Sequence, residues 1–334
     1  MSAPSPMLVF QTLQAHANTE ALKTAIELKL FTAIAAGHCT TAALAEACGA
    51  SEKGIRVLCD TMAILGFLTK SGAVYALTED SAMFLDTNSR AYLGGCLPFI
   101  LGENQRKGFE MLTEAVRKGG TAVSEEGTMA PDHPSWVDFA RGMMPLMMPA
   151  AEAIAAVTNV AQAGPLKVLD IAAGHGLFGI TIARHNPEAQ IYALDWKAVL
   201  AVAAEHATMF GVADRFHTIT GSAFDVDFGE GYDIVLVTNF LHHFDVVTNV
   251  ALMVKVRKCL RPGGRAVILE FVPDETRLSP PGAGLFALTM LASTRSGDAY
   301  TFGEIESTCR AAGFGTVTIH PVGPTPQSIV IASV

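Results

Sequence analysis

Over Thr19 to Ile34 the apolar positions Leu22, Ile26, Leu30 and Ile34 recur every four residues, which predicts one helix with a buried face. Thr40 and Thr41 followed by AALAEACGAS predict a short N-capped helix stopped by Gly49. Ser51 then opens a second helix that runs through Leu65 and ends at Gly66. Two helices across a tight glycine turn resemble a helix-turn-helix. The alternating stretch Phe67 to Leu77, FLTKSGAVYAL, turns at Ser71-Gly72 as a hairpin and completes a winged-helix pattern.

The grammar changes farther along the chain. Gly119 to Pro134 is linker-like, and Trp136 to Val157 returns to helical spacing. Its GMMPLMMP run holds Met143, Met144, Met147 and Met148 around Pro145 and Pro149, prolines expected to disrupt a helix. Methionine adapts its shape, so the cluster suits either the lining of a pocket for a flat apolar substrate or plain core filling; Met290 is grouped with it as a pocket residue.

From Pro165 onward KVLDI, LFGITIARH, IYAL, a helix near Val199 to Met209, YDIVLV, Val246 to Leu260 and AVILEF alternate strand and helix patterns. Such alternation predicts a parallel sheet. TVTIHPVG and QSIVIASV, separated by Pro324-Thr325-Pro326, predict an antiparallel hairpin that finishes it. The chain therefore divides as 1–110, 111–160 and 161–334: a helical winged-helix-like block, a linker with pocket helices, and an α/β block. Neither a repeat nor a low-complexity segment interrupts this order.

Composition narrows the function classes. The 334 residues are 50% hydrophobic and 16% charged, which excludes disorder as the main state. The net charge of -9 has the wrong sign for a nucleic-acid partner. Within the winged-helix pattern, His38 to Asp80 carries three basic residues (Lys53, Arg56, Lys70) against five acidic ones, which favours a structural role over DNA binding. No apolar run reaches bilayer-spanning length, and MSAPSPMLVF has no basic leader region, so a cytoplasmic protein without a membrane partner is expected. The six cysteines are scattered without metal-ligand spacing; reduced thiols and no metal are expected.

In open α/β sheets ligands bind at the carboxyl ends of the strands. The first strand reads VLDIAAGHGLFG, where Gly174, Gly176 and Gly179 fit G-x-G-x-x-G and Asp195, 19 residues after Gly176, fits a ribose-binding acid. This pattern alone suits NAD or an adenosyl ligand. Asp170, four residues before the turn, would repel a pyrophosphate and attract a sulfonium or ammonium group, which favours S-adenosylmethionine.

With these residues in view the chain resembles the class I S-adenosylmethionine-dependent small-molecule O-methyltransferases, such as plant caffeate and flavonoid enzymes and bacterial hydroxyneurosporene methyltransferases. VLDIAAGHG, YALDW, GSAFD, FLHHFD, LRPGGRAVILEFVP and AAGF fall in that family's order and spacing. The resemblance implies a Rossmann-like, mostly parallel methyltransferase sheet with an antiparallel C-terminal hairpin, preceded by a winged-helix dimerisation domain and hence a homodimer. It implies S-adenosylmethionine as cofactor, with S-adenosylhomocysteine as product. Asp170, Gly174 and Gly176 would surround the methionine moiety, Asp195 the ribose, and Trp196 the adenine. Ser222, Ala223 and Phe224 occupy the family's Gly-Asp-Met-Phe positions after Gly221, with Ser222 and Ala223 departing from the usual Asp and Met. Thr238 and Asn239 complete the implied cofactor set.

The resemblance places the general base at His242. Imidazole, with an ordinary pKa of about 6.5, can take the proton of a hydroxyl at neutral pH, and a phenol attacks far better as phenolate. In a helical turn His243 would point about 100° away, so one ring of the two is expected to face the substrate. Glu270 matches a family acid that fixes the histidine tautomer. The family's second acid is replaced by Ala299 in SGDAYT, and Asp298 is expected in a solvated turn. His175 is expected to touch the cofactor only through its backbone. The expected activity is methyl transfer to a hydroxyl of a small aromatic or polyketide-like acceptor. N- or C-methylation, or another adenosylmethionine-dependent reaction on this fold, stays open, as does an adenosylmethionine-sensing winged-helix regulator.

Overall fold

A computed structural model describes residues 4–323 and 325–334, so Met1 to Ala3 and Pro324, within the Pro-Thr-Pro separator, lie outside the described residues. Two compact units divide between Leu97 and Pro98.

The first unit comprises α1 (Met7–Glu27), α2 (Leu30–Ala35), α3 (Thr41–Cys48), α4 (Glu52–Ile64), the hairpin β1 (Leu68–Ser71) and β2 (Val74–Leu77), and α5 (Glu79–Phe84). The Thr40 and Ser51 side chains accept the N–H groups of Ala43 and Gly54, and Gly49 closes α3 at φ +61°, so both predicted caps form. The single helix expected over Thr19 to Ile34 is two: Lys29 is left-handed at φ +53° and breaks the run after Leu28. The apolar spacing continues across the break because Ile26, Leu30, Phe31 and Ile34 serve one core with Leu44, Ile55, Met62 and Tyr75. Asp60 of α4 pairs with Arg56 at 3.3 Å and Lys70 at 2.5 Å, so two of the three cations of the winged-helix segment are committed to an internal carboxylate.

At the division lies α6 (Leu97–Ile100), followed by α7 (Glu103–Glu110), α8 (Leu112–Lys118), α9 (Ser135–Gly142) and α10 (Met144–Val157). Pro145 and Pro149 do not break α10. Pro145 sits in its first turn, where no N–H is needed, and Pro149 is carried inside; the interruption falls at Met143 instead.

The sheet follows as β3 (Lys167–Ile171), α11 (Leu177–His185), β4 (Gln190–Asp195), α12 (Lys197–Met209), β5 (Phe216–Thr220), β6 (Tyr232–Thr238), α13 (Val246–Cys259), β7 (Leu260–Phe271), α14 (Pro281–Ser293), α15 (Phe302–Ala311), β8 (Thr316–Pro321) and β9 (Gln327–Ser333). Its order is β5-β4-β3-β6-β7-β9-β8, parallel except for β9, which runs antiparallel to both neighbours. Strand β3 lies inside the sheet, with β4 on one side and β6 on the other. That arrangement is a topological switch point, where the loops leaving adjacent strands diverge and open a crevice. Strands β3 and β6 are almost continuously buried, as parallel strands covered on both faces must be.

Candidate active site

A cavity opens at this switch point. The loops after β3, β4 and β6 form its floor, and α9, α10 and α14 supply walls. Two non-glycine residues in the left-handed region that favours glycine shape the floor: Ala172 at φ +51° and Asn239 at φ +53° each bend the chain as a strand ends. The Asn239 amide is fixed in that bend, its oxygen accepting from Gln327 Nε2 at 2.5 Å.

Asp195, at the end of β4, faces the cavity while its two oxygens accept the N–H groups of Gly174 at 2.8 Å and Trp196 at 2.7 Å. Burial pushes its carboxyl up to about 6 despite those two donors. Gly174 lines the cavity at φ +56°, and a methyl group there would come within 3.0 Å of the Phe139 ring. Gly176, by contrast, is a packing glycine outside the lining: a Cβ would lie 3.0 Å from Ala203 and 3.1 Å from Phe216.

The role expected of Asp170 needs correcting. It is fully buried behind the glycine loop, where Oδ2 accepts the Gly179 N–H at 3.1 Å and Oδ1 has no partner. Burial pushes its carboxyl up to about 8, and the side chain does not line the cavity, so it is not placed to sort pyrophosphate from sulfonium there. Its structural task is to tie β3 to α11.

His175, expected to contribute only backbone, instead presents its ring to the cavity, stacked on Phe139 at 5.6 Å. Its Nδ1 accepts the Leu177 N–H at 3.1 Å, which puts the ring proton on Nε2, a buried donor without a partner. Burial pushes this histidine down to about 3, so the ring is neutral.

Ser222, Ala223 and Phe224 do not line the cavity. Ser222 Oγ accepts the Phe224 N–H at 3.1 Å, Ala223 is buried in the sheet core, and Phe224 is exposed and packs edge-on against Phe244. Trp196 does line it, packed with Trp136 against the Ala140, Val199 and Val202 cluster. Thr238 and Asn239 line the floor. Of the methionines, Met143, Met147 and Met290 reach the cavity, whereas Met144 and Met148, a helical step round from the first two, turn elsewhere.

After β6 a 3-10 turn, Leu241–His243, carries both histidines. Glu270 at the end of β7 holds this turn: Oε1 accepts the N–H groups of Phe240, Leu241 and His242 at 3.0, 2.8 and 3.3 Å, and Oε2 lies 2.5 Å from His242 Nδ1. With Oε2 accepting, the His242 proton sits on Nδ1 and the Nε2 lone pair is left for the cavity. The expectation that one ring faces the substrate fails. Backbone rotation separates the two Cβ directions, yet both rings reach the cavity, centroids 4.2 Å apart and tilted by 39°. His243 Nδ1 donates to the Phe240 carbonyl at 3.2 Å. Burial, together with the neighbouring His242, holds His243 well below the ordinary imidazole value.

On the other side of the turn, the Asp298 N–H donates to the His242 carbonyl at 3.0 Å, and Gly297 lies so close that a methyl group would press into that carbonyl oxygen. Backbone from SGDAYT thus meets the histidine turn at the position where a second acid was expected. The Asp298 side chain sits in the partly exposed turn anticipated for it, 3.6 Å from Arg277. Sequence reading missed the aromatic walls. Phe139 meets Phe99 and Trp136 edge to face, Phe99 and Trp136 are tilted by 37°, and Phe271 and Phe286 stack at 3.9 Å.

Similar proteins share the family and the fold. The 3-hydroxy-5-methyl-1-naphthoate 3-O-methyltransferase of Streptomyces sahachiroi is 27% identical over 319 residues, covering 93% of this chain and 90% of that protein. A crystal structure from Nostoc punctiforme, of a protein described as a candidate O-methyltransferase, is 49% identical with a TM-score of 0.96, covering 99% of this chain and 100% of that one. Human N-acetylserotonin methyltransferase in complex with SAM shares the fold, with a TM-score of 0.86 at 22% identity over 100% of this chain and 99% of that one. The family model of the O-methyltransferase domain matches residues 127–315, more than half of the chain, and that of the O-methyltransferase dimerisation domain matches residues 10–87, so the chain belongs to the O-methyltransferase family.

Proposed function

We propose that this O-methyltransferase moves a methyl group from S-adenosylmethionine to the hydroxyl of a small, flat aromatic or polyketide-like acceptor, and that it works as a homodimer. The observation that carries the reading is the His242–Glu270 pair, with Nδ1 committed to a carboxylate and Nε2 left toward an apolar cavity. Among the described lining residues there is no Lys or Arg, so a pyrophosphate would find no cation there, whereas a phosphate-free adenosyl cofactor needs none. Asp195 offers lone pairs for ribose hydroxyls in the same crevice. The neighbour's complex with SAM supports the cofactor, and the naphthoate substrate named for the Streptomyces relative supports a fused aromatic acceptor. When bound, S-adenosylmethionine supplies an electrophilic methyl carbon on a sulfonium.

The chain's own residues prepare the nucleophile. His242 Nε2 takes the proton of the acceptor hydroxyl, and Glu270 keeps the ring in the tautomer and direction that make this possible. Phe271, Phe286 and Met290 flank His242 with apolar surface that excludes water and holds the ring plane of the acceptor.

His242→Ala tests this reading. It should lower kcat by about 10² to 10⁴ while calorimetry shows S-adenosylmethionine affinity nearly intact. The defect should shrink for nitrophenol-like acceptors that are already ionised at neutral pH. Equal losses across the acceptor series would reassign His242 to positioning, and failure of the unmodified protein to bind S-adenosylmethionine would overturn the cofactor.

A further inference from the structure

Glu270 gathers the N–H groups of the histidine turn, and other groups take its carbonyls in order along the chain. Leu241 O accepts from Asn249 Nδ2 at 2.9 Å, His242 O from the Asp298 N–H at 3.0 Å, and Phe244 O from the Tyr300 hydroxyl at 2.5 Å. The last is the shortest of the three and falls where the chain leaves the turn in extended conformation. A three-residue 3-10 turn is too short to stiffen itself, so what grips its two ends sets its direction. Ala299 brings no carboxylate to this flank. The side-chain support comes one residue later, from Tyr300, and reaches backbone instead of the imidazole.

The phenol is aimed from a rigid anchor. Before it, the Ala299 carbonyl accepts from Arg277 Nη1 at 2.7 Å. After it, Thr301 and Glu304 form a capping box at the start of α15, and the second Glu304 oxygen accepts from Arg277 Nη2 at 2.6 Å. The Tyr300 ring packs against the sheet core. Burial, reinforced by Asp298 and Asp245, pushes the phenol far above its ordinary value, so the hydroxyl is a donor at neutral pH and well beyond it. Resting on the reading of His242 as the base, we propose that Tyr300 is a positioning residue: its hydroxyl pins the exit of the turn and, with Glu270 at the entry, fixes the direction of the His242 ring.

The test removes that one oxygen. Tyr300→Phe keeps the ring in its packing and leaves the Phe244 carbonyl a bond from Asn249 Nδ2 at 3.2 Å, so the chain should fold. With 2-naphthol as acceptor, kcat should fall about tenfold while calorimetric affinity for S-adenosylmethionine stays within about twofold. The double variant Tyr300→Phe/His242→Ala should be no slower than His242→Ala alone, because the hydroxyl acts through that ring. A readout free of catalysis is the proton NMR signal of His242 Nδ1–H in its bond to Glu270, identified by its loss in His242→Ala. It should shift in Tyr300→Phe. An unmoved signal would overturn the proposal, as would losses that multiply in the double variant or, where His242→Ala is defective, an unchanged kcat in Tyr300→Phe. A shifted signal beside a fully active His242→Ala would overturn the base assignment and leave the hold of Tyr300 on the turn standing.

Discussion

Asp195 engages both oxygens with backbone N–H groups and still presents lone pairs to the cavity, so one side chain shapes the glycine loop and offers a ribose contact. Its raised value, about 6, sets the direction of a pH effect. In the free protein the stability contributed by the proton is present below the unfolded value of 3.8 and is lost as pH rises through about 6. Ribose hydroxyls favour the ionised acceptor, so S-adenosylmethionine affinity should be level above neutrality and fall as pH drops through 6. Asp195→Ala should weaken binding by roughly 1.5 to 3 kcal/mol at neutral pH, the worth of hydrogen bonds to a charged acceptor. Asp195→Asn should bind weakly with that acid-side fall removed. Calorimetry across this range checks both, and an unchanged affinity in Asp195→Ala would detach the residue from the cofactor. Asp170, also an acid on the motif, differs because its place in β3 aims it into α11. The sequence placed both acids at strand ends, but which way each carboxylate faces depends on the layer packed above it.

The histidine turn is an element held from two sides, by the Glu270 carboxylate and by the backbone of Gly297 and Asp298. Gly297→Ala should therefore shift the turn and lower kcat by about tenfold to 10²-fold, with S-adenosylmethionine affinity retained. Steady-state kinetics beside calorimetry would show the split, and full activity would mean that the turn tolerates displacement. The parallel strands were legible because burial on both faces writes continuous apolar runs, as in KVLDI and YDIVLV. Strand β5 was not read: Phe216 is its one buried residue, and FHTIT at the sheet edge carries no such run. Caps at Thr40 and Ser51 were readable because the signal is local. The break at Lys29 was not, since two successive helices serving one core keep the apolar spacing of a single helix. The proposed base His242 and its carboxylate Glu270 were named through the family resemblance of FLHHFD and VILEFVP, whereas the walls from α9 and α14 arise only when distant helices are packed.

At the scale of the whole molecule, the remaining question is what covers α1. Met7, Leu8, Val9, Phe10 and Leu13 are all more than half exposed on this helix, and such a concentration of apolar side chains is poorly tolerated in water by an isolated chain. The match to the O-methyltransferase dimerisation domain begins at residue 10, so Phe10 and Leu13 fall inside it. A second copy offers the same surface, and closed twofold pairing buries it with no third partner required. We expect light scattering to report a homodimer at micromolar concentration and the melting temperature to rise with protein concentration, as linkage to association demands. Paired substitution of Phe10→Glu and Leu13→Glu should shift the chain toward monomer, because introduced carboxylates would face one another across the twofold contact. The interior of each unit should be intact, since neither residue belongs to the buried core. A stable monomer of the unmodified protein at micromolar concentration would overturn the dimer. A dimer unaffected by the paired substitution would move the contact to another face of residues 10–87.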